Sequence, residues 1–416
     1  MNPFSQLHEL PRQLRHPAVR DLAWTLLSAP LLQHADWPQR HPLSASTWAQ
    51  APGLLADWLR QQEHDSGALE QWLARTHHRR LGLYYEQLWQ FALHAAPGVE
   101  LLAANLAIRE EGRTLGELDV VIRDAEGDHH LELAIKLYLG PAQSDGEACA
   151  NWLGPGRHDC LGRKLDHLRL QQLPLSSSPQ ALAALSNWQA QQVQAELWLG
   201  GYLFYPWPGH CDSPRGAHPQ HLRGVWLTRQ AWPAFTQQQG GRWLLLPRSA
   251  WLAPARASQA ECWSLIELNQ WLTQLEPQAA PVLLARLEMN DQGDWQEVQR
   301  LFLVADTWSQ EPAAEFESTT DAYQAVENVG EAGKTRQKRP KKRSLRVVNE
   351  HFEAVFNAVL PTQVVFQRPV NRSSKELRCT TSNLASSPAS QNSPATCSFT
   401  PCPAPSWHLP CNAWPH

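Results

Sequence analysis

The stretch GELDVVIRDAEGDHHLELAIKLYL, residues 116–139, alternates between apolar and polar positions on both sides of a turn signal. Successive strand side chains point to opposite faces, so this period of two predicts an antiparallel hairpin with one buried side. Leu118, Val120 and Ile122 share the apolar face with Leu131, Leu133, Ile135, Leu137 and Leu139. The opposite face carries Glu117, Asp119, Val121 and Arg123 on one strand, and His130, Glu132, Ala134, Lys136 and Tyr138 on the other. A slip of one residue would turn either strand over, so parity limits the possible registers.

A two-residue turn at Glu126-Gly127 predicts Asp119 opposite Ala134 and Glu117 opposite Lys136, with Glu132 diagonal to Asp119. Opposed Cβ atoms lie roughly 5 Å apart, so three carboxylates and an amine meet on one patch. Carboxylates gathered in this way repel unless a proton or cation intervenes. Mg²⁺ is a hard cation held by carboxylates and waters, and metal-assisted phosphodiester hydrolysis is the chemistry that fits the patch. The competing reading is the wet side of an ordinary antiparallel sheet, where Glu–Lys pairs are common.

The formal net charge is −4, and 24 of the 36 basic but 31 of the 40 acidic residues lie in the first 310 positions. An acidic body argues against a general polyanion binder, although a local basic groove is compatible with it. There is no run of about 18 or more apolar residues and no basic, then apolar, leader. Both absences point to a cytoplasmic protein without a membrane partner. The eight cysteines follow no disulfide-like rhythm, which predicts reduced thiols. His77-His78 and His129-His130 are adjacent pairs whose members point apart, so neither is read as a metal pair. The 20 tryptophans are read as core residues, not base-stacking platforms.

To about Trp308 the chain has the periodicity of a globular body, with helices over 17–33, 47–75 and Leu81 to Ala95. A strand (VELLAANLAI), the hairpin, a helix from Asp159 to Leu173, a further helix and a strand ending at Pro206 follow. Alternating strands and helices beyond this form a second α/β lobe or an extension of the same sheet. Residues 309–416 are an acidic stretch, a basic run at 334–346 and a Ser/Thr/Pro-rich end, and this composition predicts mostly disorder. The basic run is read as a linker or a phosphate-binding arm. Cys397, Cys402, His408 and Cys411 have zinc-ligand identities, but their spacing fits no common zinc motif.

GELD, a turn and ELAIK, preceded by a helix bearing Glu86, resemble the PD-(D/E)XK nuclease superfamily over about residues 78–206. The wording VRDLAW, LGLYYEQLW, ELAIKLYLG, WLGPGRHDCLGRKLDHLRLQQL, GYLFYP and FLVADTW is similar to bacterial domain of unknown function family 1853, grouped with that superfamily, over most of residues 17–308. The resemblance implies an α/β restriction-endonuclease-like core at 78–206, built as helix, three strands, helix and strand in a mixed sheet. An N-terminal helical region, 1–77, precedes it and a C-terminal α/β extension, 207–308, follows it. It makes Asp119, Glu132, Lys136 and Glu86 the catalytic set, with Asp119, Glu132 and Glu117 holding Mg²⁺ or Mn²⁺. The following helix would offer Arg163, Lys164, His167 and Gln171 or Gln172 to nucleic-acid phosphates. One departure stands out: the acidic position two before the lysine is Ala134, and Glu132 lies two residues farther back, displaced by roughly 7 Å of strand. The implied function is a Mg²⁺-dependent nuclease acting on DNA or RNA. Its alternative is an inactive nuclease-fold protein that binds nucleic acid or a protein partner.

Overall fold

In a computed structural model of the chain, residues 2–33, 38–75, 80–190, 192–237 and 239–309 are described. His77-His78, the basic run and the Cys/His set near the end therefore lie outside the described residues. The architecture is mixed α/β. Helices α1 (Pro17–Leu27), α2 (Pro52–His64), α3 (Gly67–Ala74) and α4 (Leu81–Ala95) precede strands β1 (Glu100–Glu110), β2 (Arg113–Asp124) and β3 (Gly127–Leu139). Helices α5 (Leu161–His167) and α6 (Pro179–Leu185) lead to β4 (Val193–Pro206). Then come β5 (Leu222–Thr228), β6 (Arg242–Leu245), β7 (Arg256–Ala257), α7 (Leu265–Leu272), β8 (Val282–Met289) and β9 (Trp295–Val304).

The strands form one sheet in the order β1-β2-β3-β4-β5-β9-β8-β6, with β7 on β9. Its first three strands are antiparallel, whereas β3, β4, β5 and β9 run parallel. Strands after Pro206 thus extend the sheet of the preceding ones. Parallel neighbours need a long crossover, which α5 and α6 supply between β3 and β4. Gly200 lets α4 approach β4, since a Cβ there would stand 2.6 Å from the Tyr85 hydroxyl.

Both faces of the sheet are covered. The apolar side of the hairpin packs with Leu22 and Leu26 of α1 and Tyr85, Leu88 and Trp89 of α4. The side predicted to be polar meets Leu161 and Leu165 of α5, together with Leu168 and Trp152. A wet sheet face is therefore not what these side chains form: Glu132 is 1% exposed. The buried tryptophans Trp24, Trp89, Trp152, Trp198 and Trp243 agree with the core reading. The region predicted as one helix over 47–75 breaks at Ala51 and at Asp65, where the backbone turns extended before Pro52 and at the α2 terminus. No helix among the described residues is long and apolar enough to cross a membrane.

A buried ion network ties the N-terminal helices to the far half of the sheet. Arg300 on β9 donates to both oxygens of Glu297 at 2.8 and 2.9 Å and to the carbonyls of Trp251, Leu252 and Ala253. Asp21 on α1 accepts from Ala253 N at 3.0 Å and from the Tyr84 hydroxyl of α4 at 3.0 Å. Burial raises the Asp21 carboxyl to about 6.

Candidate functional site

The hairpin turns at Ala125-Glu126, with Asp124 paired to Gly127 and Val120 opposite Leu131. The predicted turn at Glu126-Gly127 would have put Val120 opposite Leu133, so the register is corrected by two residues. Parity and the division of faces survive this shift, but the opposed pairs change. Asp119 comes beside Glu132, not Ala134, and Glu117 is not opposite Lys136. The physical cause lies in the turn. Asp124 accepts a hydrogen bond from Glu126 N at 2.8 Å, and Arg40 donates to both Asp124 and Glu126, at 2.6 and 2.8 Å. The positive φ expected inside the turn falls instead on Gly127, at 130°.

Asp119 and Glu132 lie side by side across the strands, close enough for the charge of Glu132 to act on Asp119. Asp119 accepts from Leu133 N at 2.9 Å. Glu132 is gripped on both oxygens: His130 Nε2 lies 2.9 Å from Oε1, and Gln172 donates to Oε2 at 2.6 Å. Burial holds His130 down at about 4, which keeps its ring neutral near pH 7 and leaves Nε2–H to donate. Gln172 in turn accepts from Lys164 Nζ at 2.9 Å. The helix predicted from Asp159 to Leu173 is α5 followed by a π-helical turn at Leu168–Gln172. Such turns add a residue to the helical cycle and are frequent at functional sites. Here the turn ends on Gln172.

Glu86 of α4 joins the same group. Its Oε2 accepts from Asn105 Nδ2 at 3.3 Å, and Asn105 Oδ1 accepts from Gln90 Nε2 at 2.8 Å. Asn105 stands in β1 between the pairs Ala104–Val120 and Leu106–Leu118, level with Asp119, and has φ of 51°. Left-handed backbone within a strand costs of order 1–3 kcal/mol for a non-glycine residue, although Asn tolerates it better than most. Asn105→Gly is accordingly expected to unfold at an unchanged or higher urea concentration, and Asn105→Val to lose about 1–3 kcal/mol. Equal midpoints for the two variants would contradict a strained backbone at this position.

Lys136 and Arg163 stand apart from the carboxylate pair. Lys136 Nζ donates to Asp159 Oδ2 at 2.7 Å, an oxygen that also accepts from the Tyr138 hydroxyl at 3.2 Å. Arg163 is exposed and donates to Cys160 Sγ. Lys164, grouped in sequence with phosphate-contacting residues, is instead the lysine whose charge acts on both Asp119 and Glu132. His167 lies near both lysines.

The electrostatics follow from burial and crowding. Asp119 is pushed well above the usual carboxylate range by burial and then by the charge of Glu132. Glu86 is raised by burial and then by Asp119, while burial raises Glu132 to about 7 against the opposing pull of Lys164. Burial, followed by the nearby Lys136, lowers Lys164. Perturbed groups of opposite sign in one place are characteristic of functional sites. The oxygen donors suit a hard divalent ion, and neighbouring carboxylates that raise each other's proton affinity are the arrangement that a proton or such an ion relieves. Among the described residues, the only set of three His, Cys, Asp or Glu side chains with ligand atoms all within 4.8 Å is Asp124, Glu126 and His129. The predicted ligands Asp119, Glu132 and Glu117, with Glu86, therefore form no such set; Asp119 and Glu132 are neighbours across β2 and β3, and Glu117 and Glu86 act on the group by charge.

Sequence reading missed Asn105, Asp159 and the part played by Gln172 and His130. A polar Asn inside the apolar run VELLAANLAI was the available signal for Asn105. Asp159 carried none, since its partner Lys136 is 23 residues away.

No curated protein and no solved structure matches the chain. A family model described as "Domain of unknown function (DUF1853)" matches residues 20–304. That span runs from the first turn of α1 to the end of β9, including every residue of the carboxylate site, and the chain belongs to the DUF1853 family.

Proposed function

We propose that the chain is a metal-dependent nuclease of the PD-(D/E)XK type, hydrolysing phosphodiester bonds in DNA or RNA. The observation that carries this reading is the Asp119–Glu132 pair, with Glu132 buried and linked through Gln172 to the Lys164 amine. The order α4, β1–β3, α5 and β4, with Glu86 on the leading helix, supports it. Asp119 and Glu132 would hold Mg²⁺ or Mn²⁺, with Glu86 and Glu117 beside them. The ion's contribution when bound is to stabilise charge developing on the phosphate. His130 and Gln172 orient the Glu132 carboxylate, and Leu133 N orients that of Asp119. Lys164 sits where its ammonium balances the two acids, and its lowered proton affinity suits it to hold or release a proton. Lys136, whose amine Asp159 holds, would contact the substrate backbone on release from that pair.

The test is cleavage of plasmid and single-stranded substrates by the full chain in Mg²⁺ or Mn²⁺. Lys164→Met is expected to slow cleavage by roughly 100-fold or more, and Lys136→Met by less. Absence of metal-dependent cleavage, or full activity of both variants and of Asp119→Ala, would overturn the proposal. The pairing of Lys136 with Asp159 favours the second reading, a non-catalytic scaffold of the same fold that binds nucleic acid or a protein. That reading is distinguished by binding without cleavage and by no Asp119-dependent heat on Mn²⁺ titration.

A further inference from the structure

We propose that Asp124, Glu126 and His129 bind one divalent transition-metal ion of the zinc class, at a site separate from the Asp119–Glu132 pair. The three residues surround the β2–β3 turn, and their ligand atoms all lie within 4.8 Å of one another. What singles the group out from an ordinary acidic turn is the histidine. Its Nδ1 is 2.9 Å from Glu196 Oε2 on β4, so the ring donates there and its Nε2 presents a lone pair. That Nε2 is buried without a hydrogen-bond partner and faces Asp124 Oδ1 at 3.4 Å. In the neutral ring that lone pair faces a carboxylate oxygen, a contact that a proton or a cation between them relieves, and the group supplies the donor set for a cation. A histidine oriented through its other nitrogen by a carboxylate is the usual support for a metal ligand.

Charge points the same way. Asp124, Glu126 and Glu196 bring three negative charges, and Arg40 returns one. An ion held by Nε2 takes the place of the ring's second proton, and the group that faces it then carries two negative charges, the complement of a divalent ion. Arg40 holds Asp124 through Oδ2 and Glu126 through Oε2, which leaves Glu126 Oε1 and the second lone pair of Asp124 Oδ1, whose first accepts from Glu126 N, for the metal. One nitrogen and two carboxylate oxygens suit zinc, with a remaining position for water. The Asp124 and His129 side chains are 0% and 2% exposed, whereas that of Glu126 is 60% exposed and gives the ion a route in. Bound there, the ion would pin the turn that sets the hairpin register.

The experiment uses the full chain, stripped with EDTA and dialysed, then titrated with Zn²⁺ by calorimetry and with Co²⁺ by visible absorption. One equivalent is expected to bind to the wild type and equally to Asp119→Asn, since the two sites are distinct. Glu126→Gln should bind at least 10-fold more weakly, His129→Gln should lose the site, and Glu196→Gln should fall by roughly 10- to 100-fold. Glu126 is exposed, so its variant tests the site without risk to the fold, and a thermal melt of the stripped protein checks this. Co²⁺ absorption bands that vanish in His129→Gln would identify the nitrogen ligand. Unchanged affinity in Glu126→Gln and His129→Gln, binding abolished by Asp119→Asn alone, or no binding would overturn the proposal and leave an ion-pair network around Arg40.

Discussion

Asp119→Asn is expected to abolish metal-dependent cleavage while making the metal-free protein more stable at pH 8 by about 1–3 kcal/mol, the scale of an uncompensated buried polar group. The substitution removes one of two neighbouring acids, and the asparagine can still accept from Leu133 N while its amide donates to Glu132. Acids raised in the folded state bind more protons there than in the unfolded chain. For Glu132 the window runs from the ordinary carboxylate value, roughly 4.3, up to about 7, and Asp119 and Glu86 shift in the same direction. Their contribution to stability is complete below that window and is lost as pH rises through it. Wild-type urea midpoints without metal should therefore fall between pH 5 and 8, and the Asp119→Asn profile should be flatter. A lower midpoint for Asp119→Asn at pH 8 would show that the pair is not repulsive. Stability gained together with activity lost is the pattern of a site held in place by the surrounding fold.

The largest loss of stability is expected from Arg300→Met, at about 3–5 kcal/mol. Arg300 is 2% exposed and donates to Glu297 and to three carbonyls, so its removal strands a buried carboxylate and several acceptors. The double variant Arg300→Met, Glu297→Gln should recover part of that loss, because no buried charge then remains unpaired. If the two substitutions are simply additive in urea unfolding, the pair does not act as a unit. The network reaches the candidate site by a short route. Ala253, whose carbonyl Arg300 holds, donates its N–H to Asp21, and Asp21 accepts from Tyr84, two residues before Glu86 on α4. Helix placement at the site thus depends on contacts made more than 200 residues later in the chain.

How much of the site was legible follows from the range of each interaction. Helix α4 was readable from its apolar spacing and the Pro97-Gly98 stop, and the hairpin faces from parity alone. The turn position was not, because Arg40 clamps Asp124 and Glu126 from 84 and 86 residues away. The expected helix through Leu173 gave no sign of its π turn, which aims Gln172 at Glu132 across 40 residues. ELAIK suggested Lys136 as the lysine of the site, yet Asp159 holds its amine, and Lys164 acts on the acids instead.

The chain alone determined which residues share a face of the hairpin, because side-chain alternation is a property of each strand and needs no partner. Tertiary structure decided that Asp119 meets Glu132 across the strands, that the charge of Lys164 acts on both, and that Glu132 is buried. Those outcomes depend on a two-residue register and on a helix folded over the sheet, and the side chains that set both come from segments that meet only in the folded protein.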